Sequence, residues 1–339
     1  MIGLLGATGY TGRLTAAELA RRGLPCRLGG RNPERLATVE KGEGAETFVV
    51  DTVDTPRLDA FLDGLTAVIS TVGPFTTLGI PVVEAAVRAG VPYVDSTGEP
   101  GFMTEVYERF GSAGVPVVPA CGFDYIPGDL GAAIAAASLD GTVDEVGVHY
   151  DVTNPMPSRG TARSALGVLT GPAQETGRRR VPWPGGEQWA LSWNGGEKVS
   201  VPRHVDAREV VVTMSMPLPA VLATQFGSPL ASLTAPVLER MVDLLPEGPS
   251  ESQRRRTTFR VLAEAIGPAG RAFVLCEGRD LYGLTGRFLV EAALAVSAEG
   301  YGRTGAMAPA EALDPTEFLD AVAGDDFSWT ASYPVPPDL

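Results

Sequence analysis

The sequence predicts an α/β protein, a doubly wound parallel sheet followed by a second α+β domain with a mixed or antiparallel sheet. Three observations carry that expectation. A strand, a glycine turn and a helix follow one another within the opening residues. A β-α alternation then continues to about residue 120. After Gly122 longer strand-like runs replace it. The boundaries read as 1–122 for the first domain, 123–280 for the second, and 281–339 for C-terminal helices that return to the first.

The apolar run Ile2 to Leu5 leads into Gly6-x-x-Gly9-x-x-Gly12, and a helix with apolar residues at Leu14, Ala17, Leu19 and Ala20 begins at once. Such a turn aims backbone N–H groups and a helix N-terminus at one point, where a pyrophosphate fits. This is the entry to a Rossmann-type dinucleotide fold, with Gly6, Thr8, Gly9, Tyr10, Thr11 and Gly12 as the phosphate-binding residues. The second strand, Pro25 to Gly30, ends in Arg31-Asn32. An NAD-binding fold places an acidic residue near this point, and none stands here. Arg31 offers a planar fork to a 2′-phosphate instead, with Asn32 beside it, so NADPH is the expected cofactor. The alternative is that Arg31 only caps the next helix, Pro33 to Val39.

Further strands are expected at Glu46 to Val50, Ala67 to Thr71, Pro92 to Asp95 and Val115 to Val118, with a helix over Val82 to Ala89. Ligands bind at the carboxyl ends of such strands. That adds Asp51 and the run Thr71, Val72, Gly73, Pro74 and Phe75 to the cofactor residues, with Phe75 as an apolar wall toward the substrate. Tyr125 and Asp124 follow Cys121-Gly122 at the end of the last of these strands, where the second domain begins. They are the candidate proton donors, and core packing of Tyr125 with helix capping by Asp124 is the competing reading.

In the second domain a helix is expected over Ile126 to Ala137. Strands are expected at Glu145 to Val152, Trp189 to Trp193, Val199 to Val201 and Glu209 to Met214, and a hairpin over Arg256 to Glu277 turns at Gly267-Pro-Ala-Gly270. Shorter helices are expected at Thr161 to Leu169 and Pro236 to Leu245, and a longer one at Tyr282 to Ala298. Arg159, Thr161, Arg163 and Ser164 either grip a polar substrate group or cap the helix they open. His149 reads as a satisfied core histidine. The uncharged stretch Val210 to Leu238 holds Pro217, Pro219, Pro229 and Pro236. It therefore reads as a strand and broken helices beside an apolar site, not as a membrane span.

Composition narrows the function classes. The 339 residues are 44% hydrophobic with a net charge of −14, which argues against nucleic-acid binding. Cys26, Cys121 and Cys276 are too few and too widely spaced for a disulfide framework or a zinc site, no metal is expected, and a reducing cytoplasm suits them. A strand starting at residue 2 argues against a signal peptide. Only Lys41 and Lys198 are present and neither follows a tyrosine by four residues, so tyrosine–lysine dehydrogenase chemistry is excluded.

Several strings resemble the saccharopine dehydrogenase-like NAD(P)-binding oxidoreductases, nearest to the branch of trans-acting enoyl reductases. They are Gly6 to Gly12, Ser70-Thr-Val-Gly-Pro-Phe75, Tyr93-Val-Asp-Ser-Thr-Gly-Glu99 and Cys121-Gly-Phe-Asp-Tyr-Ile-Pro-Gly-Asp-Leu-Gly131. Gly160 to Ser164, Gly248 to Glu251 with Arg254, Tyr282 to Thr285 and Pro309 to Asp314 continue the series. The resemblance implies an NADPH-dependent reductase of an activated C=C bond on a small apolar or polyketide-like substrate, and a homodimer through the second domain's sheet. A saccharopine-type imine reductase is the alternative, and a non-catalytic NADP(H) sensor the remote one. Residues 171–208 match no part of the family and are where substrate specificity is expected.

Overall fold

Short apolar runs with both faces covered form the strands of a parallel sheet. Strands β1 (Ile2–Leu5), β2 (Cys26–Gly30), β3 (Glu46–Val49), β4 (Ala67–Ser70), β5 (Tyr93–Asp95) and β6 (Pro116–Val118) follow the expected runs to within a residue at each end. We describe them in a computed structural model of the chain, over residues 1–163, 177–183, 185–215, 242, 244 and 246–335. The chain divides into two units, Met1–Ile126 with Tyr282–Ala323, and Pro127–Leu281 with Gly324–Leu339.

In the first unit a further short strand, β13 (Gly305–Ala306), completes a seven-stranded parallel sheet in the order β13-β6-β5-β4-β1-β2-β3. β1 lies between β4 and β2, with Leu4 in register with Leu28 and Ile69, and all three side chains are fully buried. The strand order reverses around β1, with β2 on one side and β4 on the other. Ligands of doubly wound sheets bind at such a switch point.

Helix α1 (Tyr10–Arg21) buries Gly12, Thr15, Ala16 and Leu19, a face rotated slightly from the expected one. Helices α2 (Pro33–Ala37), α3 (Thr55–Leu62), α4 (Phe75–Ala89) and α5 (Pro100–Phe110) supply the crossovers. α4 starts seven residues before the expected Val82 and runs through Pro81. Proline inside a helix normally marks a boundary. Here Glu99 satisfies the first turn by accepting from the N–H groups of Phe75 (3.0 Å) and Thr76 (2.9 Å). A distant residue therefore fixes this helix start.

The second unit is built on a seven-stranded mixed sheet. Its strands are β7 (Val143–Thr153), β8 (Arg178–Trp183), β9 (Gly186–Ser192), β10 (Ala207–Ser215), β11 (Thr258–Gly267), β12 (Gly270–Arg279) and β14 (Phe327–Val335), in the order β14-β12-β11-β7-β10-β9-β8. β10 pairs parallel to β7, and the other pairings are antiparallel. The β11–β12 hairpin turns at Gly267 and Gly270 as expected. Helix α6 (Ile126–Ala137) lies over the expected residues. From Pro127 onward it packs on this sheet, where Gly131 sits against Ala263 and Val274.

Two readings need correction. The strand expected at Val199 to Val201 is helical: Glu197–Ser200 forms a turn and Val201–Arg203 continues it as a 3-10 helix. Pro202 has no N–H to give a ladder, and Val199 and Ser200 bond back to the carbonyl of Gly196. The C-terminal part is not helical throughout. After helices α7 (Leu281–Val296) and α8 (Pro315–Val322), the chain returns to the second sheet as β14. The helices expected at Thr161 to Leu169 and Pro236 to Leu245 lie largely or wholly outside the described residues, as does Val210 to Leu238 beyond Ser215. Among the described residues no helix is long and apolar enough to cross a membrane.

Candidate functional site

The glycine turn has the shape a phosphate needs. Gly6 has φ +81°, and a Cβ there would press on Thr71. A Cβ on Gly12 would overlap the Gly6 carbonyl oxygen, so α1 reaches the turn only because residue 12 is glycine. α1 is capped by Gly9, which brings no side-chain acceptor, and no acidic residue occupies its first turn. The N-terminal N–H groups and the positive end of the helix dipole therefore face the turn without an internal anion. The Thr71 hydroxyl donates to the Leu5 carbonyl (3.0 Å), tying the end of β4 to the same place. These residues fit a dinucleotide pyrophosphate.

At the end of β2 the cap of α2 is Asn32, whose side chain accepts from the Arg35 N–H at 2.9 Å. Arg31 is not the cap and stands exposed. Arg35 and Arg13 both donate to the Thr8 carbonyl, at 3.0 and 3.2 Å. Their guanidinium groups therefore converge on the glycine turn. At the end of β3, Asp51 accepts from the Val53 N–H (3.3 Å).

The loop after β4 presents Val72, Gly73 and Pro74, with a cis peptide bond between the last two. Phe75 turns inward. It is 6% exposed, and its ring centre lies 5.5 Å from that of Phe102. The next loop, after β5, is Ser96-Thr97-Gly98-Glu99. The third, after β6, carries Asp124 and Tyr125. Tyr125 is buried, and its hydroxyl donates to the Gly98 carbonyl at 3.0 Å. Asp124 remains accessible beside Gly98, where a Cβ would come within 3.1 Å of Oδ2. The residue faces solvent, and the protein atoms packed around its carboxyl push its pKa upward, to about 6. Cys121 is buried, with its thiol donating to the Val118 carbonyl.

In the second unit, Arg159, Thr161 and Arg163 lie in a helical turn over 159–163. Its cap is Ser158, which accepts from the Thr161 N–H (3.1 Å) and also bonds the Thr161 hydroxyl (3.0 Å). Ser164 lies outside the described residues. His149 is fully buried between Thr213 (2.8 Å from Nδ1) and Glu264 (3.0 Å from Nε2), as a core histidine should be.

Comparison with known proteins agrees with this geometry. A family model described as NAD(P)H-binding matches residues 6–113. A putative trans-acting enoyl reductase of Mycobacterium tuberculosis is 38% identical over 192 residues, which are 52% of this chain and 46% of that protein. A trans-acting enoyl reductase of Mycobacterium ulcerans is 37% identical over 138 residues, 38% of this chain and 33% of that protein. The chain thus covers less than half the length of these curated relatives. The fold matches apo saccharopine dehydrogenase (L-Glu forming) from Saccharomyces cerevisiae, with TM-score 0.67 and 14% identity over 98% of this chain and 99% of the other.

Three residues around the NAD(P)H-binding domain's site escaped the sequence reading. Arg13 sits one residue after the glycine motif, and Arg35 lies on the short helix α2 four residues after Arg31, which precedes that helix's cap; their positions were the available signal. Glu99 was visible at a strand end, but its bonds to the start of α4 are contacts across 24 and 23 residues that no local pattern encodes.

Proposed function

We propose that this chain is an NADPH-dependent reductase that saturates an activated C=C bond, as in an α,β-unsaturated thioester or ketone of a small apolar or polyketide-like substrate. The observation that carries the reading is Asp124. It is a solvent-facing carboxyl on the loop after β6, beside Gly98 in the loop after β5 and at the carboxyl ends of the strands of the same parallel sheet as the glycine turn. The names of the M. tuberculosis and M. ulcerans relatives support the choice of reaction.

A bound nicotinamide supplies hydride to the electron-poor carbon. The protein's own residues supply the rest. Asp124 holds the proton that the neighbouring carbon takes up as charge develops on the substrate oxygen. Tyr125, fixed on the Gly98 carbonyl, keeps the loop that carries Asp124 in place. Gly6, Gly9 and Gly12 let the backbone close on the pyrophosphate. Arg31 and Arg35 lie where a 2′-phosphate on the adenosine ribose would be held, which selects NADPH over NADH.

The test is turnover of NADPH with a panel of enoyl thioesters and enones, run beside paired amines and carbonyls. Reduction of an enoyl compound supports the proposal. Turnover only when amine and carbonyl are both present would replace it with imine reduction. Cofactor binding with no turnover of any pair would point to a sensor.

A further inference from the structure

Asp95 ends β5, is 0% exposed and carries a carboxylate into the interior. Burying an ionisable acid is costly unless its oxygens are fully used. Oδ1 accepts from the N–H groups of Thr97 (2.8 Å) and Ala120 (2.9 Å), and Oδ2 accepts from the Tyr93 hydroxyl (2.8 Å). The Asp95 carbonyl accepts from the Cys121 N–H at 2.7 Å. One residue therefore grips two loops, the one after its own strand and the one after β6.

What it grips is a strained turn. Ala120 has φ +64°, a left-handed conformation that a residue with a Cβ avoids. Four residues on stands Asp124, and the next residue, Tyr125, bonds back to Gly98 in the loop that Asp95 also holds. Thr97 accepts from the Glu99 N–H (3.1 Å), which extends the same brace to the residue that caps α4. A misplacement of Asp124 by about 1 Å would cost about 10²-fold in rate.

We propose that Asp95 is a positioning residue, whose carboxyl oxygen holds Ala120 in its left-handed turn and thereby sets where Asp124 stands. This rests on the reductase reading with Asp124 as the donor. Only acceptor capacity is required of residue 95, since all three of its hydrogen-bond donors are neutral groups. Asn can keep both Oδ1 bonds and turn its NH2 toward the Tyr93 oxygen, whereas Ala keeps none.

The experiment compares D95N and D95A with wild type in three readouts: kcat and KM for an enoyl thioester, NADPH affinity by calorimetry, and amide hydrogen exchange over residues 119–125. D95A should lose about 10²-fold in kcat, hold NADPH as wild type does, and exchange faster over 119–125. D95N should keep the segment protected and stay within about tenfold of wild-type kcat, because neutral acceptors are weaker than charged ones. Unchanged exchange in D95A overturns the proposal whatever turnover does. A D95N that loses as much kcat as D95A with the segment still protected also overturns it, since the acid itself would then be needed. If D95A does not fold, D95N alone decides between these outcomes. If the wild type reduces no enoyl compound, the reductase reading fails and the exchange comparison still decides the role of Asp95.

Discussion

Asp124 and Asp95 are carboxyls pushed in the same direction, and both consequences can be measured. Desolvation raises Asp124 to about 6 and Asp95 to about 7, each above the ordinary 3.8 of an unfolded chain. The folded protein therefore holds protons that the unfolded chain has released. The stability each contributes is fully present below about pH 4 and is lost as pH rises through the folded value. D95N should accordingly gain stability relative to wild type between about pH 4 and pH 8, read as a difference in melting temperature that grows with pH; a constant difference would contradict the raised pKa. For turnover, a donor that must be protonated gives a kcat/KM that falls about tenfold per unit above pH 6. D124N should lower kcat by about 10² to 10⁴ and abolish that limb. Arg35→Ala and Arg31→Ala should each weaken NADPH binding by about 10- to 100-fold, the scale of a charge-assisted bond to phosphate. Both should leave NADH binding nearly unchanged, and titration of both cofactors checks this.

At the scale of elements, the strand–turn–helix at the start and the helix over Ile126–Ala137 were legible because each is specified locally. Glycine at 6, 9 and 12, an apolar run before them and a helical pattern after them all lie within about twenty residues. Gly12→Ala tests that turn. Its methyl meets the Gly6 carbonyl, so the variant should lose about 1–3 kcal/mol of stability and its nucleotide affinity together. The early start of α4 was not legible, because Glu99 makes it. Glu99→Ala should cost about 0.5–2 kcal/mol, as the loss of a helix cap does, and a chemical denaturation curve reads it. β14 carried a period-two signal, with Phe327 buried, Ser328 exposed and Trp329 half-buried. That pattern became meaningful only through its pairing with β12. Val199 to Val201 failed in the opposite sense. Three apolar-flanked residues are too few to separate strand from helical turn, and Pro202 decides against a ladder.

At the scale of the molecule, the family strings run in order through both units, while the donor loop, the cofactor turn and the Asp95 brace all belong to the first. Which side chains receive a substrate was the least legible part. Arg159 and Arg163 are placed by a cap at Ser158 that serves the fold of the second unit, and within residues 171–208 the sequence pointed to the strand near Trp189 but not to its partner β8. The reductase proposal is tested most directly by following the hydrogen. NADPH deuterated at C4 of the nicotinamide is incubated with the protein and an α,β-unsaturated thioester, and the product is weighed by mass spectrometry. The account predicts a saturated thioester carrying one deuterium on the carbon β to the carbonyl. Recovery of the unsaturated thioester unlabelled and unreduced, from protein shown to bind NADPH, would contradict it.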